Sequence, residues 1–190
     1  MMSRTRSIFI SILQILLVYS LTNRVVIADE VVDSTVYHVQ EITSGNFVHL
    51  GSFPPQSTHN HGDVANIGFI VGSECVAVID TGSSLHVGSL LKAAIRGVTN
   101  LPICAVIITH VHPDHLLGLN AFAQDPTVAV YGHHRLPKQI RLRSKYYLEM
   151  LERELGVDHI DNHIIDPSRI TGVDRLLTID LGGRVIEIKA

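Results

Sequence analysis

The feature that most constrains this chain is a run of three histidines and one aspartate within residues 109–115. The preceding residues, 103–108, have the sequence ICAVII, which has the length and β-branched character of a buried strand. Pro113 and the residues after it have the pattern of a helix start. Polar residues between a buried strand and a helix lie at the sheet edge where α/β proteins gather ligands and catalytic groups. The sequence therefore predicts a functional site at residues 109–115.

The preceding segments predict that this strand has a parallel partner. Residues 75–80 are mostly apolar and indicate a strand, and the apolar spacing of residues 83–96 is helical, with Gly97 as the stop. A strand, a helix and a strand in this order predict a βαβ unit with a right-handed crossover. Because parallel strands end at the same edge of a sheet, we expect Asp80 and His110 to lie close together.

The rest of the chain alternates between strand and helix patterns, which favours an α/β fold. Residues 53–63 form a polar loop, and residues 157–169 show no regular pattern. Further strands are predicted at residues 35–43, 47–50, 65–71, 127–131, 176–181 and 184–189, and further helices at residues 114–123 and 137–155.

The first 28 residues have the features of a secretory signal peptide. Two arginines precede an apolar run at residues 7–20, and small or modest residues lead up to Ala28. That run is shorter than the roughly 20 residues that span a bilayer. We therefore predict a signal peptide at residues 1–28, a domain at residues 29–190, a periplasmic or secreted location, and membrane contact only through the signal segment.

The net charge indicates which kind of partner the chain binds, and the two cysteines raise the question of a disulfide. The formal net charge is −3, from 15 Lys and Arg against 18 Asp and Glu, and no basic run is present. This excludes a nucleic-acid partner and favours a small-molecule substrate. The two cysteines, Cys75 and Cys104, lie in predicted buried strands. They could pair in an oxidising compartment, but two buried free thiols are the favoured prediction.

The spacing of the histidine run indicates a metal site. His110 and His112 point to the same side of an extended segment, whereas Asp114 and His115 lie at a helix start that favours a carboxylate. Imidazole and carboxylate are ligands for zinc, iron or manganese. One pair of residues cannot hold a catalytic zinc, which usually takes three protein ligands. The run therefore predicts about half of a two-metal site.

These residues resemble the metallo-β-lactamase superfamily, whose signature is His-x-His-x-Asp-His after a buried strand. The segment VIDTG at residues 78–82 matches the strand-end Asp-x-Gly element of that family. More narrowly, residues 61–69, 109–115 and 131–133 look like exported quinoprotein relay system zinc metallohydrolases. The resemblance covers the chain from about Val39 to its end.

The resemblance implies an α/β fold with four layers, in which two β-sheets pack face to face between outer helices (αββα). His110 and His112 would bind one metal, and Asp114 and His115 a second. Asp80 would be an outer-shell group that orients the ligands, and Asp114 would also be catalytic because it orients the attacking water. The family's remaining ligands would follow residue 190, so we expect an N-terminal portion that lacks the C-terminal half of the fold.

Two further histidines are possible substrate-side residues. His61 lies in the polar loop that could cover the site. His133 follows a predicted strand that should end at the same edge as His110.

The resulting functional prediction is an exported metal-dependent hydrolase that uses one or two zinc ions, with iron or manganese as alternative metals. Its substrate would be an ester, a thioester or an amide-type compound, attacked by metal-activated water. Two alternatives remain open: an iron-dependent oxidoreductase of sulfur compounds with the same fold, and a non-catalytic periplasmic binding or accessory protein.

Overall fold

The computed structural model describes residues 37–53, 55–156 and 166–190. The predicted signal peptide at residues 1–28 and most of the predicted loop at residues 157–169 lie outside the described residues. No helix in the described ranges is both long enough and apolar enough to cross a membrane.

Seven strands form one mixed sheet, in which spatial order follows chain order. The first four strands pair antiparallel, and the fourth to the seventh pair parallel. Two further strands form a separate antiparallel hairpin. The large sheet contains β1 (Gln40–Thr43), β2 (Asn46–His49), β3 (Ile67–Val71), β4 (Val76–Ile79), β5 (Ile103–Ile108), β6 (Ala129–His133) and β7 (Ile170–Val173), and the hairpin contains β8 (Leu176–Asp180) and β9 (Val185–Lys189).

The helices connect the parallel strands. They are α1 (Leu85–Val98), α2 (Pro113–Leu116), α3 (Asn120–Ala123) and α4 (Leu136–Leu155), with 3₁₀ turns at Leu117–Leu119 and Pro167–Arg169. Helix α1 joins β4 to β5, which confirms the predicted βαβ connection and the parallel pairing. It begins at a Ser84 cap, whose hydroxyl oxygen accepts a hydrogen bond from the Val87 backbone N–H at 3.3 Å.

The large sheet is buried on both faces because apolar side chains occupy every position of its central strands. In β4, Val76 and Val78 pack in a cluster with residues of α1 and α4, whereas Ala77 packs in a second cluster with Leu181 and the hairpin. Successive strand residues point to opposite faces, so this alternation separates a helical layer from a second sheet layer. A layered α/β architecture with packed sheets is thereby confirmed.

The helix predicted at residues 114–123 is not continuous, and that expectation was wrong. Helix α2 ends at Leu116, and a 3₁₀ turn separates it from α3. The carbonyl of His115 accepts a hydrogen bond from the Thr81 backbone N–H at 2.8 Å, and the Gly118 N–H donates to the Gly82 carbonyl at 2.9 Å. These groups would otherwise serve hydrogen bonds within a helix. The loop after β4 therefore interrupts the helix and ties the histidine run to Asp80.

A disulfide joins Cys75 and Cys104, so the favoured prediction of two free thiols was wrong and the alternative of a pair is confirmed. Val76 pairs with Ile103 and Ala77 pairs with Ala105, so Cys104 is an extra residue in β5. The Cα atoms of the two cysteines are 5.8 Å apart, and both lie in the cluster between the large sheet and the hairpin. This irregularity in strand pairing is invisible in the apolar pattern of the sequence.

Close packing between α1 and the turn after α2 requires glycine at position 88. A Cβ atom there would lie 2.3 Å from the carbonyl oxygen of Gly118, a backbone atom. We expect Gly88→Ala to lower the free energy of unfolding by roughly 1–3 kcal/mol, because overpacking forces the backbone to shift. Gly97 is a matched control in the same helix, since a Cβ there meets nothing within 4 Å.

Gly97→Ala should raise the free energy of unfolding by about 0.5–1 kcal/mol, because alanine loses less conformational entropy in a helix. Urea unfolding of the two variants checks both signs. Equal effects at the two positions would contradict the packing described for Gly88.

Candidate metal centre

Strands β4 and β5 bring their C-terminal residues to the same sheet edge, as the sequence predicted. Ile79 pairs with Ile107, and the Asp80 backbone N–H donates a hydrogen bond to the Ile107 carbonyl at 2.9 Å. Asp80 then adopts φ 57°, a left-handed conformation that is uncommon for a residue other than glycine. Such conformations persist where the surrounding structure enforces them, and they cluster at functional sites.

The Asp80 carboxylate is buried and is the hydrogen-bonding hub of this edge. Its Oδ1 accepts from the Thr109 backbone N–H at 2.8 Å. Its Oδ2 accepts from the Thr109 hydroxyl at 2.7 Å and from Nδ1 of His115 at 2.8 Å. Three donors thus hold the carboxylate, which fits the predicted role of Asp80 as a group that orients ligands.

Hydrogen bonds with Thr109 and Asp80 determine which ring nitrogen of His110 and of His115 can face a metal ion. The Thr109 hydroxyl hydrogen goes to Asp80, so its oxygen accepts from Nδ1 of His110 at 2.9 Å. His115 also uses Nδ1, which donates to Asp80. Both imidazoles therefore point Nε2 away from Thr109 and Asp80, and Nε2 of His115 faces a carboxylate oxygen of Asp114 at 3.4 Å. A metal-ligating histidine is normally held in this way through its other nitrogen.

The four predicted metal ligands lie next to one another. The ring centroid of His110 is 4.6 Å from that of His112 and 4.1 Å from that of His115. A carboxylate oxygen of Asp114 lies 3.4 Å from Nε2 of His115. Within the described ranges, one ligand atom each from Asp80, His110 and His115 lie within 4.8 Å of one another, which makes this edge a candidate metal-binding group.

The donor set fits a transition-metal ion. The group within 4.8 Å contains two imidazoles, from His110 and His115, and the carboxylate of Asp80, and imidazole and carboxylate are the ligand types of zinc, iron and manganese. His112 lies at the N-cap position of α2, and Asp114 lies in its first turn. The group of three does not include His112 or Asp114, and Asp114 pairs with His115. Direct ligation by His112 and Asp114 stays a prediction.

The pKa values indicate the charge state of the metal-free site. Hydrogen bonds with Asp114 and Asp80 raise the pKa of His115 to about 9, so this imidazole is protonated at neutral pH. The hydrogen bond with His115 lowers the pKa of Asp114. Burial, followed by the nearby His115 and His112, lowers the pKa of His110. A cation that enters the site must therefore displace a proton from His115.

The two predicted substrate-side histidines lie outside the ligand group. Gly132 pairs with Ile108, so His133 follows at the edge that carries the site, and its Nδ1 accepts from the Arg135 N–H at 3.1 Å. His61 is exposed and adopts φ 51°, with its ring centroid 5.0 Å from that of His86. A substrate role for either residue stays a prediction.

Thr109 is the functional residue that the sequence did not reveal. It connects Asp80 to His110, yet its side chain gives no signal beyond a hydroxyl placed between a buried strand and the first histidine. Only the contact across two strands shows its role.

Comparison with known proteins agrees with this geometry. The model of the metallo-beta-lactamase superfamily matches residues 61–189, which is more than half of the chain. A linear primary-alkylsulfatase from Pseudomonas sp. (strain ATCC 19151) is 36% identical over 59 residues. That stretch is 31% of this chain and 11% of the sulfatase, so the chain corresponds to a small part of that protein.

Proposed function

This chain belongs to the metallo-beta-lactamase superfamily, and from that membership we propose that it is an exported zinc-dependent hydrolase. The observation that carries the proposal is the orientation of His110 and His115. Both use Nδ1 for hydrogen bonds within the protein, through Thr109 and Asp80, and both present Nε2. This arrangement is the one expected of histidines that ligate a metal.

Each residue has a distinct proposed role. His110 and His112 are part of the ligand set of one ion, and Asp114 and His115 are part of the ligand set of a second. A bound zinc ion would polarise the substrate oxygen and lower the pKa of water. Asp114 is ionised because its pKa is held low, so it can accept a hydrogen bond from the attacking water and orient it. Asp80 keeps the ring of His115 in place.

The proposed substrate is a small molecule with an ester, thioester or amide-type bond. His133 is at the correct sheet edge for a substrate contact, and His61 lies in a loop attached to the start of α1. The printed name of the Pseudomonas relative adds alkyl sulfate esters to the substrates worth testing. The motif resemblance supports the quinoprotein relay system group as the nearest subfamily.

Export has its own support. Disulfides persist in oxidising compartments and are rare in the cytosol. The Cys75–Cys104 disulfide is therefore consistent with a periplasmic or secreted protein whose signal peptide is residues 1–28.

Hydrolysis assays test the proposal. The purified chain is stripped with chelator, reloaded with zinc, iron or manganese, and given p-nitrophenyl acetate, an acyl thioester, nitrocefin and p-nitrophenyl sulfate. We expect turnover of at least one class with zinc, and a loss of at least about a hundredfold in kcat/KM for His110→Ala. His134→Ala is the matched control, since that exposed ring pairs with Asp174. Turnover that survives chelation, or no turnover with zinc bound, would contradict the proposal.

The charge of His115 predicts a pH dependence of zinc binding. His115 is protonated below about pH 9, so zinc must displace one proton over the whole range from pH 6.5 to 8.5. The apparent affinity should rise by about tenfold per pH unit in that range and level off above it. Competition with a chromophoric chelator at pH 6.5, 7.5 and 8.5 measures the slope. An affinity that does not change over this range would refute the prediction.

A further inference from the structure

A second group of titratable side chains lies outside the metal centre, where Tyr37, His49 and Asp63 meet. The Tyr37 hydroxyl donates to Oδ1 of Asp63 at 3.0 Å. Nε2 of His49 lies 3.0 and 2.9 Å from the two carboxylate oxygens of Asp63. The rings of Tyr37 and His49 stack with centroids 3.8 Å apart, and His49 is buried. Three polar groups from distant parts of the chain therefore share one enclosed contact.

The geometry requires that His49 carries two protons. Its Nδ1 lies 2.7 Å from the backbone carbonyl of His38, which can only accept a hydrogen bond. Its Nε2 faces Asp63, whose ionised oxygens also only accept. Both ring nitrogens must donate, so the contact is an imidazolium–carboxylate pair. Burial alone would lower the pKa of His49, but the hydrogen bonds with Asp63 and His38 outweigh it, and the net pKa is raised.

Asp63 belongs to the loop that contains His61, and this loop is also attached to the start of α1. The Ser84 hydroxyl donates to the His61 carbonyl at 3.3 Å, and the Ser83 hydroxyl donates to the Gly62 carbonyl. Both serines are buried and follow the segment of residues 80–82 that holds the histidine run. One side of the loop therefore contacts Ser83 and Ser84, which follow the segment of residues 80–82, and the other side contacts Tyr37 and His49.

The backbone of His61 is strained between these attachments, whereas glycine at position 62 adopts a positive φ readily. His61 and Gly62 both have positive φ, 51° and 80°. A Cβ atom on Gly62 would lie 3.0 Å from Cδ1 of Leu155 and 3.0 Å from Cβ of Ser83. A left-handed histidine costs of order 1–2 kcal/mol and persists only when its surroundings enforce it. The backbone here needs external contacts on both sides.

We propose that Tyr37, His49 and Asp63 form a clamp that holds residues 60–63 against the start of α1 and thereby positions His61 next to the serines that follow the segment of residues 80–82. None of the three touches the metal ligands in the described structure. They are positioning residues for a substrate-side histidine, and this role of His61 rests on the proposed function. The position of the loop is independent of the proposed function.

The clamp has a defined pH response. Within residues 37–53, 55–156 and 166–190, the titratable side chains that contact His49 are Asp63 from the loop and Tyr37 from the segment before β1. The folded pKa of His49 is raised, so its contribution is fully present below its unfolded pKa, near 6.5. The contribution is lost as pH rises through the raised folded pKa. The loop should therefore loosen on the alkaline side.

The Asp63→Asn variant removes the negative charge of the side chain but keeps its size and its capacity for hydrogen bonds. In Asp63→Asn, the amide oxygen still accepts from Tyr37, and the amide N–H can donate to Nε2 of a neutral His49. The clamp then no longer depends on a proton. Asp63→Ala removes the contact at every pH. Asp125→Asn is the control, because Asp125 is exposed and its side chain accepts hydrogen bonds from the neighbouring Thr127.

Amide hydrogen exchange of the full chain, corrected for the intrinsic effect of pH, measures the clamp between pH 6 and 9. In the wild type, exchange of residues 60–63 should accelerate with pH. Asp63→Ala should exchange these residues at least about tenfold faster at pH 6, with β5 and β6 unchanged. Asp63→Asn should remove the pH dependence, and Asp125→Asn should match the wild type.

An unchanged loop in Asp63→Ala would overturn the clamp, and so would an Asp63→Asn loop that still follows pH as the wild type does. If Asp63→Ala accelerates exchange throughout the sheet, the alanine variant is generally destabilised. The pH dependence of loop exchange in Asp63→Asn is then the test of the clamp. Zinc content is measured on the same samples. A chain that binds no zinc but keeps the predicted exchange pattern would defeat the proposed function and leave the clamp standing.

Discussion

Replacement of Asp80 by alanine is expected to lower zinc affinity by roughly ten- to hundredfold, the effect of losing a partner that orients a ligating histidine. The same change should lower the free energy of unfolding by about 2–4 kcal/mol. The reason for both effects is that Asp80 accepts three hydrogen bonds, from two groups of Thr109 and from His115. The variant removes a buried carboxylate that all three donors share, and the ring of His115 loses its fixed orientation.

Two variants separate orientation from stability. Asp80→Asn keeps an oxygen for Thr109 but offers His115 an acceptor only after rotation, so we expect an intermediate loss of zinc affinity. Asp174→Ala is the control, because Asp174 also pairs with a histidine, His134, but at an exposed position. Zinc titration and urea unfolding give the two readouts. Asp80→Ala with the zinc affinity of the wild type would show that Asp80 does not orient the site.

Loss of the Cys75–Cys104 disulfide is the second change with a large expected effect. The disulfide closes a loop with a sequence separation of 29 residues. Chain-entropy arguments give roughly 3–4 kcal/mol of stabilisation for a closed loop of about that length. It also joins the residue before β4 to β5, and these two strands deliver Asp80 and His110 to one edge. Cys75→Ala combined with Cys104→Ala should therefore unfold at a clearly lower urea concentration than the wild type.

Reductant provides the matched control for this prediction. Dithiothreitol should lower the stability of the wild type to nearly that of the double variant and should leave the double variant unchanged. If the double variant is as stable as the oxidised wild type, the disulfide does not stabilise the fold.

The position of the candidate metal centre could be predicted because strand topology leaves few alternatives. A strand, a helix and a strand form a parallel pair, and parallel strands end at one edge. The prediction that Asp80 and His110 meet was therefore confirmed, although 30 residues of chain numbering separate them. The continuous apolar runs of β4 and β5 likewise predicted buried strands.

The remaining features depend on contacts that no local pattern encodes. The helix after His115 is interrupted because Thr81 and Gly82 compete for its backbone hydrogen bonds. The disulfide depends on an irregular pairing that places Cys104 beside Cys75. β7 (Ile170–Val173) is four residues long and half exposed, so it lacks the apolar run that identifies a strand. Each case is a tertiary contact that overrides local preference.

The central claim is that the histidine run at this sheet edge holds zinc, and the most direct test is zinc titration of the chelator-stripped chain. We expect at least one ion per chain in the wild type. His110→Ala combined with His115→Ala should lower the affinity by at least about a hundredfold, because each ligating imidazole contributes strongly. His59→Ala combined with His134→Ala, which also removes two imidazoles, should bind as the wild type does. A wild type without zinc, or equal affinity in all three proteins, would contradict the claim.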